Sequence, residues 1–270
     1  MNKEWLRGKT VVISGAGNGV GKYLSYDLIH QYNCKVIGVD IDETSLVNLK
    51  NNLDGQGGEF LYFAFDAKNE SNWVKFAESL DENKIQVDVL INGIGQSPKF
   101  NYFYNYSHKD TTNVMSTNLY SCIFAVKALF KNLKQSRTPA IINLCCSSAT
   151  MGIKGTSIYA ASKSALKCYT EVLQQELKDF YVGLFILGLI KSNFWKSQDD
   201  LVQSKLNKKA MSVEKTSKKI IKNINRKKKR VVIGFDAYLS DRLVRLMPHK
   251  AQNLINRYLN KNKYRLINEK

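Results

Sequence analysis

Strand-like apolar runs alternate with helical patterns along most of this chain. The runs are Thr10–Ser14, Lys35–Asp40, Glu59–Phe65, Val87–Ile91, Ala140–Cys145, Val182–Leu187 and Arg230–Gly234. Helical periodicity fills the intervals at about 19–32, 43–53, 69–80, 108–134, 157–180 and 212–225. The strand runs are continuously apolar rather than alternating, as required of strands buried on both faces. Strands separated by helices predict an α/β fold with a doubly wound parallel sheet of about seven strands. Three prolines, no Gly/Ser-rich linker and no internal repeat give no boundary. The expectation is a single domain over 1–270, with its core at about 8–234 and a basic helical extension at about 235–270.

Composition narrows the class. The 270 residues are 44% hydrophobic, enough for a sizeable core, and no run approaches the ~18 apolar residues of a membrane span. Met1-Asn2-Lys3-Glu4-Trp5 lacks the apolar core and cleavage site of a signal peptide. The five cysteines (Cys34, Cys122, Cys145, Cys146, Cys168) show no C-x-x-C or Cys/His metal spacing. Reduced thiols in a cytoplasmic protein are expected, and no metal site. The net charge of +18 is lopsided, because residues 205–270 carry 20 Lys/Arg against 4 Asp/Glu and the remainder is nearly neutral.

Two stretches carry the candidate chemistry. Thr10 to Gly21 reads as a short strand, a glycine-rich turn and a helix start, with Gly15, Gly19 and Gly21 in G-x-x-x-G-x-G spacing. Such a turn lets backbone approach a pyrophosphate and aims helix N-terminal N–H groups at it. Within Ser157 to Lys163, Tyr159 and Lys163 stand four apart on one helical face. A neighbouring ammonium lowers a phenol's pKa of about 10 and makes it a usable proton donor or acceptor.

Together the two motifs resemble the short-chain dehydrogenase/reductase family from about residue 8 to residue 195. The resemblance implies a Rossmann-type fold and a nicotinamide cofactor held by Gly15, Gly17, Asn18, Gly19, Val20 and Gly21. Asp40, at the end of the second strand, can accept from both adenine-ribose hydroxyls and would repel a 2′-phosphate. No Arg or Lys is placed to hold that phosphate, so NAD(H) is read ahead of NADP(H). Asp66 and Ala67 are expected at the adenine. Asn92 and Gly93 match the segment lining the adenosine side, with Gly93 where the family has a second asparagine and Asn92 also able to support the sheet.

The resemblance further assigns Asn118 to a water linking the lysine to solvent. Tyr159 becomes the acid/base, and Lys163 lowers its pKa and bonds the nicotinamide ribose. The family's carbonyl-polarising serine lies thirteen residues before the tyrosine, where this chain has Cys146. Ser147 takes that role if the backbone slips by one residue, and Ser148 is a third choice. Gly188, Ile190 and Ser192 resemble the family's Pro-Gly-…-Thr segment, with Leu187 in place of proline. Ile190 and Ser192 are candidates for the carboxamide, and Asn193 to Lys209 for the substrate lid.

The implied activity is NAD(H)-dependent interconversion of a secondary alcohol and a ketone on an apolar lipid, steroid or acyl substrate, in a homodimer or homotetramer. A catalytically weak NAD-binding scaffold is the alternative, supported by Cys146, Gly93 and Leu187. Beyond the core, Tyr238, Leu239, Leu243, Val244, Leu246 and Met247 form an apolar helical face among Arg242 and Arg245. A second segment carries Leu254, Ile255, Tyr258 and Leu259 among Arg257, Lys261 and Lys263. Three uses compete: a solvated basic face on a partner subunit, peripheral attachment at a membrane surface, and recruitment of an anionic carrier. No nucleic-acid fold signature accompanies the charge, so nucleic acid is not expected.

Overall fold

The computed structural model describes residues 4–248 together with 250, 251, 253, 254 and 257. Strands β1 (Thr10–Ser14), β2 (Lys35–Asp40), β3 (Glu59–Ala64), β4 (Val89–Asn92), β5 (Ala140–Cys146) and β6 (Tyr181–Leu187) alternate with helices. The helices between them are α1 (Gly19–Tyr32), α2 (Glu43–Leu53), α3 (Glu70–Glu82), α4 (His108–Met115), α5 (Ser121–Lys134) and α6 (Ser157–Glu176). A short pair, β7 (Ile190–Lys191) and β8 (Met211–Ser212), brackets α7 (Asp200–Lys209). The chain continues through α8 (Val213–Asn225), β9 (Arg230–Ile233) and α9 (Phe235–Leu246).

Strands order as β3-β2-β1-β4-β5-β6-β9, all parallel. This is the Rossmann-type α/β fold, with the order reversing between β1 and β4. Continuous apolar strands follow from burial on both faces. Val11 and Ile13 face one core with α1, α2 and α8, whereas Val12 faces the other with α3, α5 and α6. Ile142 and Leu144 face the first core and Ile141 and Cys145 the second, so adjacent residues of one strand serve opposite layers.

Two boundaries differ from the sequence expectation in an informative way. The helix expected over 157–180 ends at Glu176, because Leu177 to Phe180 turns the chain into β6. The helix expected over 108–134 is interrupted by a π-helical turn at Ser116–Tyr120, closed by Ser121 N–H donating to the Ser116 carbonyl. The extra residue in that turn places Asn118 inward.

The expected apolar face of the tail does not join the core. In α9 the buried residues are Ala237, Ser240 and Asp241, while Tyr238, Leu239, Leu246 and Met247 are exposed and Leu243 and Val244 half-buried. Among the second tail segment, Ile255, Tyr258, Leu259, Lys261 and Lys263 lie outside the described residues.

Candidate active site

At the carboxyl ends of the strands, beside the point where strand order reverses, lies one cavity of about 840 Å³. Its floor at one end is bare backbone. Gly15 and Gly19 adopt φ of 79° and 53°, a region that glycine enters without strain. A Cβ on Gly21 would lie 2.0 Å from the Gly15 carbonyl oxygen, so only glycine lets α1 start against this turn. Asn18, Gly19, Val20 and Gly21 line the cavity there. Gly17 does not; its N–H donates to Asp40 Oδ2 at 2.9 Å, which steadies the carboxylate that does. The second Asp40 oxygen accepts from Asp42 N–H at 3.1 Å. Each oxygen keeps a lone pair for a further donor.

Asp66, Ala67 and Gly93 continue the same wall. Asn92 does not belong to it. Its side chain is buried and donates to Asn143 Oδ1 at 2.8 Å, and Asn143 donates in turn to Thr170 Oγ1 at 2.9 Å. Of the two roles expected of Asn92, this arrangement is the support of the sheet, and its partner is the side chain directly opposite on β5, because Asn92 and Asn143 are in register. Asn92 is a structural residue joining β4, β5 and α6 beneath the site.

At the other end, Tyr159 and Lys163 are both buried at the cavity wall, one turn apart on α6. Lys163 reaches toward Gly95, where a Cβ would stand 3.0 Å from Nζ and 3.6 Å from Asn118 Oδ1. Asn118 is clasped from three sides. Its Oδ1 accepts from Gln96 N–H at 2.8 Å, and its Nδ2 donates to the Gln96 carbonyl at 3.0 Å and to Ser162 Oγ at 2.9 Å. The π-turn is what allows a helix-interior asparagine to make these bonds. Asn118 sits behind the wall and fixes the Gly95–Gln96 segment over the lysine.

Cys146 ends β5 and lines the cavity beside Tyr159. Its sulfur also accepts from Ser148 N–H at 3.2 Å, capping the 3-10 turn Ser147–Ala149. Cys146, Ser147 and Ser148 all line the cavity, and the Cys146 thiol is the one of the three that acts on the Tyr159 phenol.

The electrostatics of Tyr159 overturn one expectation. Burial, and after it the neighbouring Cys146 thiol, pushes the phenol well above its ordinary value of 10. Desolvation disfavours the charged phenolate. Tyr159 is thus held as the neutral acid at physiological pH.

Gly188, Ile190 and Ser192 border the cavity between its two ends. The Ser192 hydroxyl accepts from Phe194 N–H at 3.3 Å, and its Cβ approaches Gly19 across the cleft. Sequence reasoning missed what holds this segment. Asp236, in the first turn of α9, accepts from Leu189 N–H at 2.8 Å. A Cβ on Gly188 would lie 2.2 Å from the same carboxylate, so the glycine is needed for the approach. Nothing in the sequence linked residues 47 apart.

The stretch expected as a lid lies across the cavity. Phe194 packs 5.9 Å from the Tyr159 ring, and Phe100, Val202 and Leu206 form a small core with Leu189 and Trp195. Gln198 binds this stretch to the Pro98–Phe100 segment by accepting from Phe100 N–H and donating to the Pro98 carbonyl.

Comparisons with known proteins give the family and the fold. The family model for short chain dehydrogenases matches residues 9–202. The ketoacyl reductase HetN of Nostoc is 27% identical over 67% of this chain, and the match spans only 63% of HetN. The 3-oxoacyl-[acyl-carrier-protein] reductase FabG of Buchnera aphidicola (Acyrthosiphon pisum) is 29% identical over 73% of this chain and 80% of its own. A short chain dehydrogenase/reductase from Burkholderia phymatum, solved in complex with NAD, superposes with a TM-score of 0.81 at 19% identity, over 94% of this chain and 97% of that one. A glycine cradle on β1, a buried Tyr159–Lys163 pair on α6 and this family match place the chain in the short-chain dehydrogenase/reductase family of nucleotide-binding oxidoreductases.

Proposed function

We propose that the protein is an NAD(H)-dependent oxidoreductase interconverting a secondary alcohol and a ketone on an apolar substrate. One observation carries this reading. A buried tyrosine, protonated at neutral pH, shares a cavity with a glycine cradle whose far wall bears the Asp40 carboxylate. The cradle suits a dinucleotide, because the first turn of α1, Gly19 to Gly21, borders the cavity with its helix-terminal N–H groups and Gly21 has no room for a side chain. Asp40 would receive the adenine-ribose hydroxyls, and its charge opposes a 2′-phosphate. When bound, the nicotinamide supplies or removes the hydride.

The chain's own residues do the rest. Tyr159 donates its proton to the substrate oxygen in reduction, and the raised pKa keeps that proton available. Cys146 offers a thiol donor to the same oxygen, weaker than the serine hydroxyl it replaces. Lys163, one turn from Tyr159, reaches toward the Gly95 segment that Asn118 holds, where the nicotinamide ribose would lie. Leu189 N–H, fixed by Asp236, keeps the Gly188–Ile190 backbone in place for the carboxamide. Phe194, Trp195, Phe100, Ile153, Leu189 and Leu206 make the substrate side of the cavity apolar. That lining and the ketoacyl reductase relatives favour acyl or other lipid-like ketones over sugars.

The test is reduction of a ketone panel with NADH and with NADPH, including a long-chain 3-oxoacyl thioester, a steroid ketone and a small diketone. The proposal expects turnover with NADH, higher on the apolar ketones. Preference for NADPH would overturn the Asp40 assignment. Tight NADH binding without turnover on any ketone would support the scaffold reading, which the substitution of serine by Cys146 favours.

A further inference from the structure

Helix α9 is built inside out. The side chains it turns toward the protein are Ala237, Ser240 and Asp241, and Asp241 is held by Arg230 through both carboxylate oxygens, at 2.6 and 3.1 Å. Arg245 approaches the same carboxylate at 3.4 Å. The side chains turned to solvent include Phe235, Tyr238, Leu239 and Leu246, exposed to 79%, 50%, 47% and 77%. Their spacing of three, four and eleven residues from Phe235 aligns them in one stripe. Arg242 falls inside that stripe, its guanidinium 5.2 Å over the Tyr238 ring. Isolated apolar residues on a surface are ordinary, but four large ones aligned on one helix mark a contact surface.

We infer that this stripe docks on the surface of an anionic lipid bilayer. Charge selects the occupant. Arg226, Lys227, Lys228 and Lys229 are exposed just before β9 and Arg242 and Arg245 on α9, whereas Asp241 is buried against Arg230 and Asp236 is engaged by Leu189 N–H. The Arg230–Asp241 pair sets that basic run alongside α9, because β9 and α9 run back against each other. Two copies meeting through this face would bring like charges together. An anionic bilayer instead offers phosphates to the arginines and lysines and an apolar interior to Phe235, Leu239 and Leu246. Among the described residues no helix is long and apolar enough to cross a membrane, so the contact lies in the interface plane. Helix α9 also packs on the turn Ser147–Ala149, so the helix lies beside the cavity. Docking is independent of the reaction proposed above and is measured without turnover.

The experiment is sedimentation of the full chain with vesicles of phosphatidylcholine alone and with about 30% phosphatidylserine, at low and high salt. The wild type should pellet with the anionic vesicles, much less with the neutral ones, and release as salt rises. The pair Leu239→Glu and Leu246→Glu lies wholly on the exposed stripe and should weaken binding by about tenfold or more. Circular dichroism and NADH binding check that this variant is folded, and Phe235→Ser with Tyr238→Ser is a second variant on the same stripe. The inference is overturned if the wild type stays in the supernatant, if neutral vesicles serve equally well, or if folded stripe variants pellet like the wild type. It is equally overturned if sedimentation velocity shows an oligomer that the stripe variants dissociate while vesicle binding is absent, which would make the stripe an interface between copies of this chain.

Discussion

Replacing Cys146 by serine probes the site where it departs most from its family. Cys146 lies beside the Tyr159 phenol, and its sulfur accepts from Ser148 N–H at 3.2 Å. A serine there keeps the backbone and the cap while substituting a stronger, shorter donor. A neutral hydrogen bond contributes a net ~0.5–1.5 kcal/mol, and only the part gained in the transition state raises the rate. The expected gain in kcat/KM for ketone reduction is therefore about twofold to tenfold. Steady-state kinetics at saturating NADH measure it, with the NADH Kd determined separately by fluorescence and expected to be unchanged. Assigning the serine role to Cys146 predicts little effect of Ser147→Ala, run in parallel. An unchanged Cys146→Ser enzyme together with a large loss in Ser147→Ala would refute the assignment and move the role to Ser147.

Two further outcomes follow from the same geometry. Asp236→Ala leaves the Leu189 N–H without its acceptor, a loss of ~1–3 kcal/mol, and should raise the NADH Kd several-fold, whereas Asp236→Asn, which keeps an acceptor oxygen, should recover most of it; equal binding by the alanine variant would rule out the positioning role. Because burial raises the Tyr159 pKa above 10, the proton donor is present at every pH below that value. Ketone reduction should stay flat across the neutral range and fall only as pH rises through the raised pKa, while alcohol oxidation, which needs the phenolate, should climb with pH. A reduction profile with a midpoint near neutrality would mean that Lys163 outweighs burial.

Much of this protein was legible in its residues. Continuous apolar strands, glycines at 15, 19 and 21, and the Tyr159–Lys163 spacing led to the sheet and to both ends of the cavity, because each signal is local. What stayed hidden depends on contacts between distant segments. Asn92 reads either as a cofactor residue or as a support of the sheet, and only register sets it opposite Asn143 in a buried network. The π-turn that turns Asn118 inward has no sequence mark. Asp236 reaches a loop 47 residues away only because β9 pairs beside β6. The direction of the Tyr159 shift depends on burial, which spacing does not encode. In the tail, periodicity revealed an apolar face on α9, yet only packing shows that this face points outward.

The most direct measurement compares Tyr159→Phe with the wild type, recording NADH affinity and turnover of the best ketone in the same preparations. Tyr159 is buried at the chemical end of the cavity and away from the glycine cradle, so the account predicts NADH affinity within about twofold and turnover reduced by about 10²–10⁴. A phenylalanine variant that binds NADH and keeps wild-type turnover would contradict it.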